Sequence, residues 1–357
     1  MNTYLNKRKI FGYLTTILPA LLAFIQLYLL YEFSAIEANI FFIDVSLTLF
    51  LSGVLALNTG YVFILRTKEL KYNQLYNEYL GVSLFRLATF LVIIIPAILL
   101  LSKGQSIYVI IFAFIKLLIE IITIYFRATD QIYRLFTVSF KVFVFDLLAL
   151  SLCYYFKESF IIFYSFTNFV ALLIIFPYKV LLKKISIVYK KKTIIKYFDK
   201  IKPLSLSSVR ENLAGSGLIY FSSILLAPDE LAILINGVKV YSVGIILIGV
   251  YSNFYIQDFI RKGRNIKDEY FLYFLLVIGY TVLQIILYQT HLFSDIAYLI
   301  PNFLLILFIL GVFLQSRYFI FQSDMLIKNK YNNLYSFEII YIICYIIIIY
   351  LRIILII

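Results

Sequence analysis

The sequence predicts an all-α polytopic membrane protein, with about eleven transmembrane helices in two pseudo-repeated lobes. Three observations carry that prediction. Hydrophobic residues make up 63% of the chain, charged residues only 14%, and the mean hydropathy is +0.96. A soluble chain of 357 residues would show alternating amphipathic faces and many more charges. Apolar runs of about 20 residues recur from end to end, each long enough to cross roughly 30 Å of hydrocarbon as a helix. Lastly, the basic residues collect in every second connector. The N-terminus, 66–82, 127–134, 183–204, 257–269 and 322–335 hold most of the Lys and Arg. The intervening connectors are short and nearly free of them, and three carry acids: Glu32 and Glu37, Asp229 and Glu230, and Asp295. This alternation is the positive-inside pattern. It predicts a cytoplasmic N-terminus and, for an odd helix count, an outside C-terminus. The net charge of +13 is then an orientation signal that also serves anionic membrane lipids, not a nucleic-acid surface.

The first run, 10–31, follows Lys7, Arg8 and Lys9 but is too long for a signal peptide and lacks a small-residue cleavage pattern, so it reads as a permanent helix. The second, 39–65, carries Asp44, Thr48 and Ser52 at i, i+4 and i+8, a polar stripe on one face. The third, 83–101, contains Pro96. The fourth, 106–126, has its own stripe of Lys116, Glu120, Thr123 and Arg127. Lys116 and Glu120 are spaced to neutralise each other, although Lys before Glu is the weaker order. That pair either locks helix packing or lines a polar cavity wall. The fifth, 135–156, holds Lys141 and Asp146, and the sixth is 160–182. Lys183–Pro203 follows, rich in Lys, with Ile187, Ile194, Phe198 and Ile201 at near-helical spacing; it reads as a basic interfacial helix or a solvated linker. Beyond it the seventh run, 205–227, places Ser208, Asn212 and Ser216 on one face, flanked by Arg210 and Glu211. Arg210 either faces a cavity or snorkels to the cytoplasmic interface. The eighth, 232–256, holds Lys239 within reach of Asn236 and Ser242. The ninth, tenth and eleventh are 270–289, 296–321 and 336–357, with Arg317 near the end of the tenth. Pro19, Pro96, Pro177 and Pro301 fall inside spans, where they kink helices.

A shift of 195 residues aligns the halves, bringing Arg66 onto Arg261, Phe126 onto Phe321 and Asp44 onto Lys239. The expected division is an N-terminal lobe, 1–182, a connector, 183–203, and a C-terminal lobe, 204–357. A parallel repeat of this kind, lacking its twelfth helix, is the plan of a rocking transporter with a central cavity.

Several chemistries are absent from the sequence. His291 is the only histidine and falls in an outer loop, so membrane acyltransferase and metalloprotease chemistry is not expected. Cys153 and Cys344 lie in separate apolar runs, which is no disulfide framework or metal site. No Walker-type phosphate loop occurs. The expectation is a non-enzymatic membrane protein without a bound cofactor.

Ser207–Arg261 runs from a polar, charged helix start through a short outer hairpin to the stretch Gly237-Val238-Lys239-Val240-Tyr241. Phe126-Arg127-Ala128-Thr129-Asp130 closes the fourth helix. In these features, and in its architecture, the chain resembles the Wzx-type polysaccharide flippases of O-antigen and capsule biosynthesis. These belong to the multidrug/oligosaccharidyl-lipid/polysaccharide exporter superfamily. The resemblance implies movement of an undecaprenyl-diphosphate-linked oligosaccharide across a bacterial cytoplasmic membrane by alternating access. A polymerase and glycosyltransferases of the same pathway would be partners. It implies that Arg210, Lys239 and Lys116, with Lys141 and Arg317, supply positive charge for the diphosphate. Asp44, Glu120 and Asp146 become the candidates for proton or sodium coupling, as intramembrane carboxylates. On this reading Lys239→Ala and Arg210→Ala impair export at normal protein level, and Asp44→Asn flattens any dependence on an ion gradient. Two alternatives are a multidrug or cation exporter, which would favour a net acidic cavity, and a membrane polysaccharide polymerase or ligase, which would need larger outer loops.

Overall fold

The computed structural model describes 34–56, 72–104, 106–129, 131–156, 160–175, 204–239, 302–327 and 330–356, together with Phe63 and scattered residues of 11–31, 241–245 and 275–282. The expected connector 183–203, His291 and most of the ninth span lie outside the described residues. Every regular element among the described residues is helical.

Helix α1 is Ala35–Leu55. It starts before the apolar run because Ser34 is its N-cap: the Ser34 hydroxyl accepts the Glu37 N–H at 3.3 Å. Glu37 in the first turn suits the positive end of the helix dipole. Helix α2, Tyr72–Thr89, also begins ahead of its apolar run, since nothing in Asn73–Glu78 breaks a helix. It passes through a π turn, Phe90–Ile94, into α3, Ile95–Leu101. The turn stands immediately before Pro96, which cannot donate to the carbonyl one turn back and clashes with it. The wider turn, closed by the Ile95 N–H on the Phe90 carbonyl, accommodates that interruption.

Helices α4 (Ser106–Ala128), α5 (Ile132–Phe156) and α6 (Phe160–Ile175) follow on short connections. Beyond the connector, 204–222 is helical around a second π turn, Leu213–Gly217, and 228–239 is helical after a tight turn. Two long helices close the chain, α7 (Asn302–Ile327) and α8 (Tyr331–Ile356). Among the described residues four stretches are long and apolar enough to cross a membrane: Ile36–Leu55, Glu78–Leu101, Ser106–Arg127 and Ile132–Phe156. They fall on the second to fifth expected spans.

The surface is inverted relative to a soluble protein. Leu100 is 82% exposed and Val92 73%, and α8 turns Ile340, Ile343, Ile347, Leu351 and Ile354 outward. Asp146, Asn168, Arg210, Asn236 and Glu338 are fully buried. Water would not tolerate so continuous an apolar exterior. Hydrocarbon does, because helices satisfy their own backbone groups.

Helix α6 packs against α5 and α4, and α1 closes onto the same group. Aromatic rings fill that junction: Phe41 lies 4.6 Å from Phe160, and Phe112 lies 5.2 Å from Tyr164. Helix α1 also lies along 204–239. The Asn39 amide donates to the Pro228 carbonyl at 3.1 Å. Ser208 donates to the Gly53 carbonyl at 2.6 Å. Glycine permits the second approach, for a Cβ on Gly53 would fall on the Asn212 side chain. Gly53→Val is therefore expected to destabilise the fold by about 1–3 kcal/mol through overpacking. An unaltered melting curve for that variant would mean α1 does not approach 204–222 so closely.

Candidate functional site

The buried charges group into clusters, each set between helices. In the first, Lys116 of α4 reaches Asp146 of α5 at 3.8 Å. Asp146 also accepts the Tyr164 hydroxyl at 3.1 Å and the Asn168 amide at 2.5 Å, both from α6. The Lys116 ammonium lies over the rings of Tyr164 and Phe112, at 5.0 and 5.5 Å from their centroids. One base and one acid cancel here, and the rings add cation–π attraction.

Glu120, one turn along α4, forms a 2.8 Å ion pair with Arg86 of α2. The sequence pairs Lys116 with Glu120, whereas the structure gives each residue a partner on a neighbouring helix. The physical reason is the weak Lys-before-Glu order within one helix, set against opposite charges offered by Arg86 and Asp146 across helix contacts. Arg86 is 4% exposed and was missed because it opens the third apolar run, where a boundary charge is unremarkable.

Asp44 is buried at 1% exposure, but its carboxylate is committed to backbone. It accepts the Lys103 N–H at 2.8 Å and the Gly104 N–H at 2.9 Å, capping the connection between α3 and α4. The rest of its stripe closes on α1 itself: Thr48 donates to the Asp44 carbonyl, and Ser52 to the Leu49 carbonyl.

The fullest cluster surrounds Arg210, which is completely buried. Its Nε donates to Glu338 of α8 at 3.1 Å, its Nη1 to Gln315 of α7 at 2.5 Å, and its Nη2 to Glu211 at 3.3 Å. The guanidinium also stacks on the Tyr318 ring, 4.0 Å from its centroid. Snorkelling is thus not what Arg210 does. Glu338, Gln315 and Tyr318 escaped the sequence reading: Glu338 stands at the edge of the last run, and the other two carry no charge. One signal was there, since Gln315, Tyr318 and Gln322 recur at i, i+3 and i+7 on one face of α7.

Lys239 differs from these. Its ammonium lies on the Phe42 ring of α1, 4.5 Å from the centroid, and no carboxylate pairs with it among the described residues. Asn236, one turn earlier on the same face, is fully buried with neither amide atom hydrogen-bonded among the described residues. Lys239 thus meets α1 at Phe42, while Asp44 points into the α3–α4 connection. Lys141 is half-buried on α5 and enters none of the ion pairs described above. The Arg317 side chain lies outside the described residues.

Among the described residues every regular element is helical, several helices are fit to span a membrane, and Asp44, Asp146, Arg210 and Glu338 are turned inward. No known protein family, curated protein or solved structure matches the chain. Among the described residues no group of His, Cys, Asp and Glu is arranged to hold a metal ion.

Proposed function

We propose that the chain is a Wzx-type flippase of the bacterial cytoplasmic membrane. It would carry an undecaprenyl-diphosphate-linked oligosaccharide outward by alternating access of its two lobes, with Lys239 as the principal contact for the diphosphate. The observation that carries this reading is the setting of Lys239. Carboxylates occupy Lys116 and Arg210, whereas an aromatic face leaves the Lys239 charge available to an anion. The adjacent Asn236 amide offers two N–H donors on the same face. A diphosphate accepts charge-assisted hydrogen bonds of this kind, each contributing roughly 1.5–3 kcal/mol. The proposal includes eleven spans with the N-terminus inside and the C-terminus outside, and a polymerase and glycosyltransferases as pathway partners.

Lys239→Gln is expected to lower export of surface polysaccharide roughly 10–100-fold, the range matching the loss of one such contact. Its level in the membrane should stay normal, and Lys239→Arg should retain most export. Full export by Lys239→Gln would overturn the assignment.

A further inference from the structure

The cluster at Arg210 is unbalanced in charge. Among the described residues one guanidinium serves two carboxylates, Glu211 and Glu338, where Lys116 is ion-paired with the single carboxylate of Asp146. Glu338 is completely buried, and while its Oε2 accepts from Arg210, its Oε1 has no hydrogen-bond partner among the described residues. An anionic oxygen without a donor is an unfavourable thing to bury. Ser207 stands between the two acids. Its hydroxyl donates to Glu211 Oε1 at 3.2 Å, accepts from Gln322 at 2.8 Å, and lies beside Glu338. Of the side chains described on the elements packed here, 204–222 supplies Arg210 and Glu211, α7 supplies Tyr318 with Gln315 and Gln322, and α8 supplies Glu338 with Tyr341, while the side chains of Arg317, Asp324 and Arg352 lie outside the described residues.

We propose that Glu211, Ser207 and Glu338 form a proton-binding site with its own relay. Glu211 is the entrance, its side chain 36% exposed against 0% for Glu338. A proton on Glu211 Oε1 passes to Ser207 Oγ as the Ser207 hydroxyl gives its own proton to Glu338 Oε1. No bond between heavy atoms changes, and the formal charge of the cluster rises from one negative to zero. A metal cation would need a shell of oxygens. Arg210 already directs N–H groups at an oxygen of each carboxylate and at the Gln315 carbonyl, so the site suits a proton.

The site goes beyond the transport reading, and its test needs no transported substrate. The full chain in lipid nanodiscs is titrated from about pH 5 to about pH 9 in potassium buffer, with the C=O stretch of protonated carboxyls followed by infrared difference spectroscopy. The wild-type protein is expected to show a reversible protonated-carboxyl band that Glu338→Gln abolishes. Ser207→Ala and Glu211→Gln are expected to keep the band but slow its hydrogen–deuterium exchange at least tenfold. Should Glu338→Gln fail to fold, those two exchange measurements decide alone. A band unaltered by Glu338→Gln, or exchange unaltered in both relay variants, overturns the proposal. Disappearance of the band on adding sodium chloride at fixed pH would replace the proton by a metal cation. Failure of any of these leaves the Lys239 assignment standing, because export enters none of them.

Discussion

Arg210→Ala is expected to destabilise the protein by about 3–5 kcal/mol, the range for breaking a buried ion pair by removing one partner. Truncation removes the guanidinium donor from Glu338, which is completely buried, and one donor each from Gln315 and Glu211. It also opens space under the Tyr318 ring, against which the guanidinium packs. Most of the variant should therefore be lost from the membrane fraction, unlike the sequence-based expectation of impaired export at normal level. Arg210→Lys should recover only part of the stability, since an ammonium cannot present a planar fork to three acceptors at once. Exchanging the whole cluster for apolar residues of similar volume should recover more, because no unpaired charge then remains. Melting curves of the purified variants check the series. A wild-type curve for Arg210→Ala would sink it.

Asp44→Asn is expected to cost about 2–3 kcal/mol, acting through the α3–α4 connection. Both carboxylate oxygens accept backbone N–H groups, from Lys103 and Gly104, and hydrogen bonds to a charged group contribute roughly 1.5–3 kcal/mol each. An amide keeps one acceptor and turns an NH2 donor toward the second N–H. Hydrogen exchange at the Lys103 and Gly104 amides should accelerate, and the melting temperature should fall. If exchange there is unaltered while an ion-gradient dependence of transport disappears, Asp44 belongs to the coupling machinery and not to the connection.

Helix positions were legible because hydropathy belongs to each segment by itself. The runs 83–101, 106–126 and 135–156 lie within a few residues of Glu78–Leu101, Ser106–Arg127 and Ile132–Phe156. The ends shifted where polar residues such as Ser34 or Asn73 continue or cap a helix, which an apolar window does not register. The charges were legible as charges, and their partners were not. Lys116 takes Asp146 over Glu120, and Arg210 takes Glu338 from the far end of the chain, because pairing depends on which helices touch. Asp44 shows the same gap in another form. The backbone N–H groups it caps leave no trace in residue types.

The separation of Arg210 and Glu338 bears on how the protein is made. They stand 128 residues apart. At about 5–20 residues per second, the ribosome reaches Glu338 roughly 6–25 s after Arg210. Through that interval the segment that bears Arg210 carries an arginine whose partner on α8 does not yet exist. Glu211, the next residue made, is in contact with that guanidinium even in the finished structure. It is the escort available during insertion, so Glu211→Gln should lower the yield of integrated protein more than it lowers the stability of what has already integrated.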